Sequence, residues 1–544
     1  MKESLISFTP WPTHLAKKYR RHGLWKDLPL TELLNQSLKL NGNKTAVICN
    51  ERKFSYKQLH ELSDNLAYNL ISVGLKKGDT ALVQLPNVAE FLIVFFALIK
   101  AGIVPLNAIY KHRQHELNSF ITQIKPKLMI VCAQHELFQN DKYLKHLNSN
   151  LSLPQVILKL HDTDSDLDLD HWINVKKQSL RTVSLPNHTP PDQVALFQLS
   201  GGSTSIPKLI PRTHNDYLYN AQASAELARY NLDTKYLCAM PIAHNFTLSS
   251  PGVLGVLSKG GTIIMAESAE PMLCFDLVAK HEINTTSLVP SSVITWINQP
   301  DQYINKLKSL KLLHVGGAYF PEQIARQTVE KLQCQLQQVF GMAEGLVNYT
   351  SLDDPLDIIV STQGKPLSHY DEIKIIDEQG NEAEIGETGM LATRGPYTFR
   401  GYYKSKEHNQ TAFDEDGFYY SGDLVQLTPT GHLKVVGRIK DQINRAGEKI
   451  ASEEIEEILI KHEDIQNVAI VSIPDHTYIE KTHAFITTNN KNLDITDIRR
   501  FLLDKGLSDY KLPDSMTIVE NIPLTPIGKP DKKLLRKNFN PRGI

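Results

Sequence analysis

The residues best placed to do chemistry lie in LFQLSGGSTSIPKLIPRTHNDY, residues 196–217. A run of small residues, Ser200, Gly201, Gly202, Ser203, Thr204 and Ser205, follows the apolar VALFQL, and Lys208 comes soon after. A small-residue loop after a buried strand can wrap an anion with backbone N–H groups, because no bulky side chain blocks the approach. The hydroxyls of Ser203 and Thr204 can add donors, and Lys208 supplies charge. Taken alone, the loop fits phosphate binding and an ordinary flexible surface loop equally. Its spacing departs from G-x-x-x-x-G-K-S/T, which disfavours a P-loop ATPase or kinase.

Other candidate sites are weaker. Asp162, Asp164 and Asp166 start like a calcium loop, but Leu167 stands where glycine is needed and Ile173 where glutamate is needed. A solvated acidic loop is the better reading. The five cysteines are scattered, with no C-x-x-C pair, and read as buried free thiols in a reducing cytoplasm. His244 has no second ligand nearby in sequence and is not read as a metal ligand. Apolar residues make up 41% and charged residues 22%, with a formal net charge of -1, so nothing pushes toward nucleic acid or an anionic membrane. The most apolar run, FLIVFFALIK, is too short to span a bilayer, which takes about 20 residues, and MKESLISFTPWP is too short and too broken by proline for a signal peptide. A cytoplasmic location is expected.

Elements that could hold such a loop alternate along the chain. FSYKQLHELSDNLAYNLISVG carries Leu59, Leu62, Leu66 and Leu70 at helical spacing, ALVQLP reads as a buried strand, and FLIVFFALIKAG as a buried helix. Strand-like and helical stretches alternate to about residue 390, which predicts parallel sheets covered by helices. The character changes near residue 440. GHLKVVGRIKDQINRAGEK predicts two strands with a tight connection. A helix then carries Ile455, Ile458 and Leu459 on one face, and the strands VAIVSIPD and HAFITT and the helix DITDIRRFLLDKG follow. This outlines a small α/β domain of about a hundred residues, with its boundary at Lys440.

Read with its companions, SGGSTSIPK resembles the phosphate loop of the acyl- and aryl-adenylating superfamily, which includes acyl-CoA synthetases, luciferases and the adenylation domains of nonribosomal peptide synthetases. The companions come in the matching order: PIAHNFTLSSPG (241–252), HVGGAYF (314–320), QQVFGMAEG (337–345), GETGML (386–391), RGPYTFRGYY (394–403), YYSGDLV (419–425), GRIKDQINRAGEKI (437–450) and PLTPIGKPDKK (523–533). LSGGST, KLIPRTH, AHN, LSSPGVLGVL, QQVFGMAEGLVNYT, QGKP and KDQINRAGEK are similar, more closely, to the stand-alone 2,3-dihydroxybenzoate–AMP ligases of siderophore biosynthesis. The resemblance implies an α/β fold: a large N-terminal adenylation domain (residues 1–439) of two packed α/β sheets plus a distorted β-barrel, and a small mobile α/β C-terminal domain (residues 440–544).

It also implies roles. A carboxylate attacks the α-phosphorus of ATP, pyrophosphate leaves, and a thiol then takes the acyl group, so the first step needs positive charge aimed at phosphates. Lys529 matches the near-terminal lysine that bridges the carboxylate and the α-phosphate. Glu344 matches the glutamate that holds Mg²⁺. Asp423 matches the residue that accepts hydrogen bonds from the ribose, with Arg438 beside it. Gly316, Gly317 and Ala318 match the backbone against which adenine lies, with Phe340 for its other face and the Val339 backbone for its amine; Gly341 and Met342 belong to the same ATP-binding motif. The acid pocket maps to His244, Asn245, Phe246, Ser250, Gly317, Val339 and Val347. Asn245 can hydrogen-bond a phenolic hydroxyl and Phe246 suits a flat ring. The small Ser250 and Val347 leave room for a 3-hydroxyl, which favours 2,3-dihydroxybenzoate over salicylate. Lys440 matches the hinge between the two half-reactions, and Gly447 the face turned to the thiol.

The chain departs from the pattern at Ser205, where the phosphate loop usually carries glycine; at a positive φ, serine costs roughly 1 kcal/mol. With no fused carrier domain visible after Lys529, the expected acceptor is the phosphopantetheine thiol of a separate aryl carrier protein. Free coenzyme A, as in an aryl-CoA ligase, is the alternative. A non-catalytic nucleotide-binding protein on this fold is a third reading, and the retained Lys529, Glu344 and Asp423 argue against it.

Overall fold

The computed structural model describes all residues except 1–4, 141, 152–153, 163–166, 176–183, 202–206, 442, 446–447, 476–478, 506, 508, 526–527 and 540–544. The expectation for Asp164 and Asp166 falls outside these described residues.

Two largely parallel sheets form the body. In one, Val156–Leu160, Leu128–Cys132, Thr80–Gln84, Val104–Asn107 and Val194–Leu199 run parallel, and Leu209–Thr213 returns antiparallel at the edge. In the other, Gln335–Gly341, Leu312–Gly316, Thr285–Leu288, Lys235–Cys238, Thr262–Met265 and Thr45–Cys49 run parallel. Antiparallel strands close both of its edges: Val347–Tyr349 and Lys365–Pro366 on one side, Arg52–Ser55 on the other. The helix Ala89–Ala101 has every residue buried, which accounts for its unbroken apolar sequence. It touches Val104–Asn107 of the first sheet and Thr45–Cys49 of the second, so it lies between the two.

The helix expected from residue 54 begins instead at Tyr56. Phe54 and Ser55 complete a hairpin with Thr45–Cys49 first. Ser55 then caps the helix, its hydroxyl accepting from the Gln58 N–H while the Gln58 side chain accepts from the Ser55 N–H.

Where the resemblance puts a distorted barrel, Glu372–Ile376, Thr388–Arg394, Tyr419–Leu427 and Leu433–Arg438 form an antiparallel sheet. The last of these strands ends at Arg438, and the single turn Ile439–Asp441, which contains Lys440, leads into Ile443–Arg445. The two strands expected here thus exist but belong to different sheets. Ile443–Arg445 pairs with Glu448–Ile450 and joins the long hairpin Ile465–Asp475 and Ile479–Thr488 in the smaller C-terminal domain, with Ser515–Ile518 alongside. The helix Ser452–Leu459 buries Ile455 and Leu459 and leaves Ile458 half-buried. Among the described residues no helix is long and apolar enough to cross a membrane.

Candidate active site

The strand ends of both large sheets point their carboxyl termini at one crevice, the usual ligand position in open α/β sheets. Val194–Leu199 delivers Ser200, Leu312–Gly316 delivers Gly317 and Ala318, and Gln335–Gly341 delivers Val339, Phe340 and Gly341. The crevice holds two adjoining cavities of about 440 and 410 Å³. Ser200, His244, Gly317, Val339, Asp423 and Lys529 line both. The first is also lined by Lys208, Asn245, Phe246, Ser250, Glu344 and Val347, and the second by Ala318 and Phe340.

Gly202, Ser203, Thr204 and Ser205 lie outside the described residues, as does Gly447. The neck of the glycine-rich loop is described: the Ser200 N–H donates to the Lys208 carbonyl at 2.9 Å, and the Lys208 N–H donates to Ser200 Oγ at 2.9 Å. Lys208 Nζ sits 5.3 Å from the centroid of the Tyr402 ring. The same tyrosine donates its hydroxyl to Glu344 Oε1 at 2.8 Å and pairs with the Tyr419 hydroxyl at 2.9 Å. Glu344 is buried, and burial pushes its carboxyl above the usual range while the Tyr402 hydroxyl pulls it back. Met342 and Ala343 pack against the ring cluster that contains Phe399, Tyr402 and Tyr419.

Asp423 and Arg438 face each other across neighbouring strands, and Arg438 Nε donates to Asp423 Oδ1 at 2.6 Å. The attraction of Asp423 raises the Arg438 guanidinium above its ordinary value. Asp423 is buried, while Arg438 remains about a third exposed, at 33%. An acid whose charge is already met by a neighbour on one oxygen can accept hydroxyl donors on the other.

Lys529 reaches the crevice from the smaller domain. Its loop is tied by the Lys529 N–H to Thr525 Oγ1 at 3.1 Å and by the Thr525 N–H to the Lys529 carbonyl at 2.7 Å. The Ser291 hydroxyl donates to the Gly528 carbonyl at 2.8 Å, which docks this loop on the larger domain. Gly528 has φ +84°, and a Cβ there would stand 2.8 Å from Val289, so only glycine lets the loop settle so closely. A Cβ on Gly317, at φ +88°, would lie 3.9 Å from Lys529 Cε; the lysine stem therefore passes over the bare face of that glycine. His244 is pushed down to about 4, first by burial and then by Lys529, and stays neutral near pH 7.

Gly316, read from sequence as adenine-facing backbone, stands one step back. A Cβ on it would be 2.5 Å from the Val339 carbonyl and 3.3 Å from the tip of the Phe246 ring. Phe246, Val339 and Val347 instead form one apolar cluster with Tyr349 and Tyr397. His244 caps the short helix Asn245–Ser249, its Nδ1 accepting from the Phe246 N–H at 3.3 Å. Asn245 Oδ1 accepts from the Tyr217 hydroxyl at 2.9 Å, and Asn245 Nδ2 lies 3.5 Å from Ser250 Oγ.

Three tyrosines that shape the site, Tyr217, Tyr402 and Tyr419, escaped the sequence reading, as did Ser291. All three tyrosines lie inside segments singled out as motifs, KLIPRTHNDY, RGPYTFRGYY and YYSGDLV. Their position beside glycines and charged residues was the available signal.

The AMP-binding enzyme model matches residues 34–403, and the model for the C-terminal domain of AMP-binding enzymes matches residues 454–529. The chain belongs to the AMP-binding enzyme family. It is an ATP-dependent, AMP-forming adenylating ligase. It is 55% identical over 531 residues to pseudomonine synthase PmsE of Pseudomonas entomophila, covering 98% of this chain and 86% of that one. It is 42% identical over 539 residues to the vibriobactin-specific 2,3-dihydroxybenzoate-AMP ligase of Vibrio cholerae, covering 99% and 98%. Among solved structures, apo MbtA of Mycobacterium smegmatis superposes with a TM-score of 0.74 at 36% identity, covering 98% of this chain and 99% of that one.

Proposed function

We propose that this enzyme activates 2,3-dihydroxybenzoate as its acyl-adenylate and passes the aryl group to the phosphopantetheine thiol of a separate aryl carrier protein in siderophore biosynthesis. The observation that carries the reading is the convergence on one cavity of Lys529, Glu344 and Asp423 with the apolar side chains of Phe246, Val339 and Val347.

The acid lies in this apolar slot with its carboxylate toward Lys529, and the small Ser250 and Val347 leave room for a 3-hydroxyl. ATP lies with its ribose at Asp423 and its adenine beside Ala318, Gly341 and Phe340. One carboxylate oxygen forms a bond to the α-phosphorus, the bond to the bridging oxygen breaks, and pyrophosphate leaves with that electron pair. Lys529 holds the two anions together through this step and meets the charge that builds on the α-phosphate. Neutral His244 adds no competing positive charge.

Glu344, the buried carboxylate fixed by Tyr402, fits a Mg²⁺ ion that arrives on the phosphates rather than one caged by protein ligands. Among the described residues no cluster of three His, Cys, Asp or Glu side chains offers such a cage. When bound, the ion offsets charge on the departing pyrophosphate.

For the thiol step, the domain boundary at Lys440 serves as the hinge. Lys529 then leaves the cavity together with its loop. A cytoplasmic location suits this reaction, which consumes ATP.

Mass spectrometry after a single turnover with ATP, Mg²⁺ and 2,3-dihydroxybenzoate tests the reading: 2,3-dihydroxybenzoyl-AMP and pyrophosphate are expected in equal amounts. Formation of ADP and phosphate, or no acyl-AMP, would refute it. Adding coenzyme A and, separately, a phosphopantetheinylated aryl carrier protein decides the acceptor; rapid release of aryl-CoA would make this an aryl-CoA ligase.

A further inference from the structure

Asn245 does not face the cavity alone. Behind it runs a buried chain of polar groups: Gln198 Nε2 donates to the Tyr217 hydroxyl at 2.9 Å, and that hydroxyl donates to Asn245 Oδ1 at 2.9 Å. The direction of the chain is set at both ends. Arg212, which is fully buried and paired with Asp216 at 2.7 Å, places its guanidinium 4.9 Å from the Tyr217 ring centroid. The guanidinium beside the phenol ring, offset in part by Asp216, favours the phenol as donor. At the other end, Asn220 Nδ2 donates to Ser249 Oγ at 3.1 Å. The Ser249 hydroxyl proton is thereby left for Asn245, and Ser249 Oγ lies 3.3 Å from Asn245 Oδ1. With two donors turned toward its carbonyl oxygen, the Asn245 amide points its Nδ2 at Ser250 and the slot.

We propose that Tyr217, oriented by Gln198 and by the Arg212 guanidinium beside its ring, is a positioning residue that locks Asn245 as a hydrogen-bond donor, so that the slot selects acids whose ortho substituent is an acceptor. The inference rests on the aryl-acid reading above and deepens it. In an ortho-hydroxybenzoate the hydroxyl proton is given to the molecule's own carboxylate, and the hydroxyl oxygen is left free to accept. Asn245 Nδ2 supplies the matching donor. An unsubstituted benzoate leaves that donor unmet, which is how a buried polar group rejects an analogue lacking its partner. Without Tyr217, the Asn245 carbonyl oxygen is left with the long contact from Ser249 Oγ, and the amide is free to turn that oxygen toward the substrate oxygen.

The test is the ratio of kcat/KM for salicylate over benzoate, measured by pyrophosphate exchange in the wild type and in Tyr217→Phe. The two acids differ only in the ortho hydroxyl. Tyr217→Phe keeps the ring under Arg212 and is expected to lower the ratio about tenfold, the effect of one well-aligned buried hydrogen bond. Gln198→Leu leaves the tyrosine and removes its donor, and is expected to lower the ratio about threefold; Gln198 also lines the adjoining cavity, and an effect there falls on both acids alike and cancels in the ratio. This variant supplies the answer if Tyr217→Phe does not fold, as read from a thermal melt. A purely structural role would depress both acids alike and leave the ratio where it was; that result, in whichever variant folds, overturns the inference. A wild type that activates ortho-hydroxybenzoates no better than benzoate would overturn the aryl-acid reading, and this inference with it.

Discussion

Tyr402→Phe removes a single hydroxyl from the floor of the site. In the structure that hydroxyl donates to Glu344 Oε1 at 2.8 Å, between two buried groups. A hydrogen bond to a charged, buried acceptor contributes about 1.5–3 kcal/mol, and the substitution removes that donor from the carboxylate. If Glu344 must be ionised to hold the metal-bound phosphates, kcat/KM for ATP at pH 7 should fall roughly 10- to 100-fold, since each 1.36 kcal/mol is a factor of ten. The pH dependence should change in a definite direction. Burial already raises the Glu344 carboxyl and Tyr402 lowers it, so the variant's carboxyl rises further. The acid limb of the exchange profile then moves to higher pH. A carboxyl raised on folding stabilises the protein below its unfolded pKa, and that contribution is lost as pH rises through the folded value. The variant should therefore melt earlier than wild type at pH 8, with a smaller difference at pH 5. The phenylalanine ring remains under Lys208, so the cation–π contact is kept. Tyr419→Phe is the control: Tyr419 bonds Tyr402, and its loss should matter less. A Tyr402→Phe enzyme within about twofold of wild type, with an unmoved acid limb, would refute the role given to Glu344.

Four further outcomes can be measured, three from the geometry and the last from the sequence of the phosphate loop. Lys529→Ala should lower pyrophosphate exchange by roughly 10²–10³-fold, the size of effect seen when one preorganised charge-stabilising donor is removed, while ATP binding followed by calorimetry is largely kept. Asp423→Asn takes away the carboxylate opposite Arg438 and should raise the KM for ATP about tenfold with less effect on the KM for the acid. Buried neutral histidines should set the acid stability: His244 and His112 are pushed down to about 4, and His214 and His314 to about 3, all chiefly by burial. Groups depressed on folding stabilise above the unfolded value of 6.5, and the contribution is lost as pH falls toward 4, so the melting temperature should drop through that window. Ser205→Gly should keep or raise turnover in the exchange assay; a large loss would show that the serine has a role of its own.

Much of this site was legible in one dimension because its backbone parts are local. A strand followed at once by small residues, as at Val194–Leu199 and Ser200, or at Leu312–Gly316 and Gly317, reads directly from hydrophobic runs and glycines. The resemblance carried by those segments, not the spacing itself, assigned His244, Asn245, Glu344, Asp423 and Lys529 to one site, and all five line the crevice. What could not be read depends on contacts between distant segments. The Tyr217 hydroxyl meets Asn245 because the helices His214–Leu227 and Asn245–Ser249 pack together, and Tyr402 meets Glu344 across 58 positions of chain. Ser291 and Gly528 are 237 positions apart and meet only because the smaller domain docks on the larger. The helix that starts at Tyr56 rather than Phe54 carries the same lesson: the leucine spacing from Leu59 identifies the helix but not its start, and pairing with Thr45–Cys49 takes Phe54 and Ser55. Near Lys440 the sequence indicates two strands, yet whether they pair with each other is decided by the sheets that receive them.

The most direct test of the central claim is carboxylate-dependent ATP–pyrophosphate exchange across a panel of 2,3-dihydroxybenzoate, salicylate, benzoate, 4-coumarate, a fatty acid and several amino acids. The account predicts the fastest exchange with 2,3-dihydroxybenzoate, salicylate second, and little with acids lacking an ortho hydroxyl. Preferred exchange with a fatty acid or an amino acid would contradict the aromatic slot built from Phe246, Val339 and Val347.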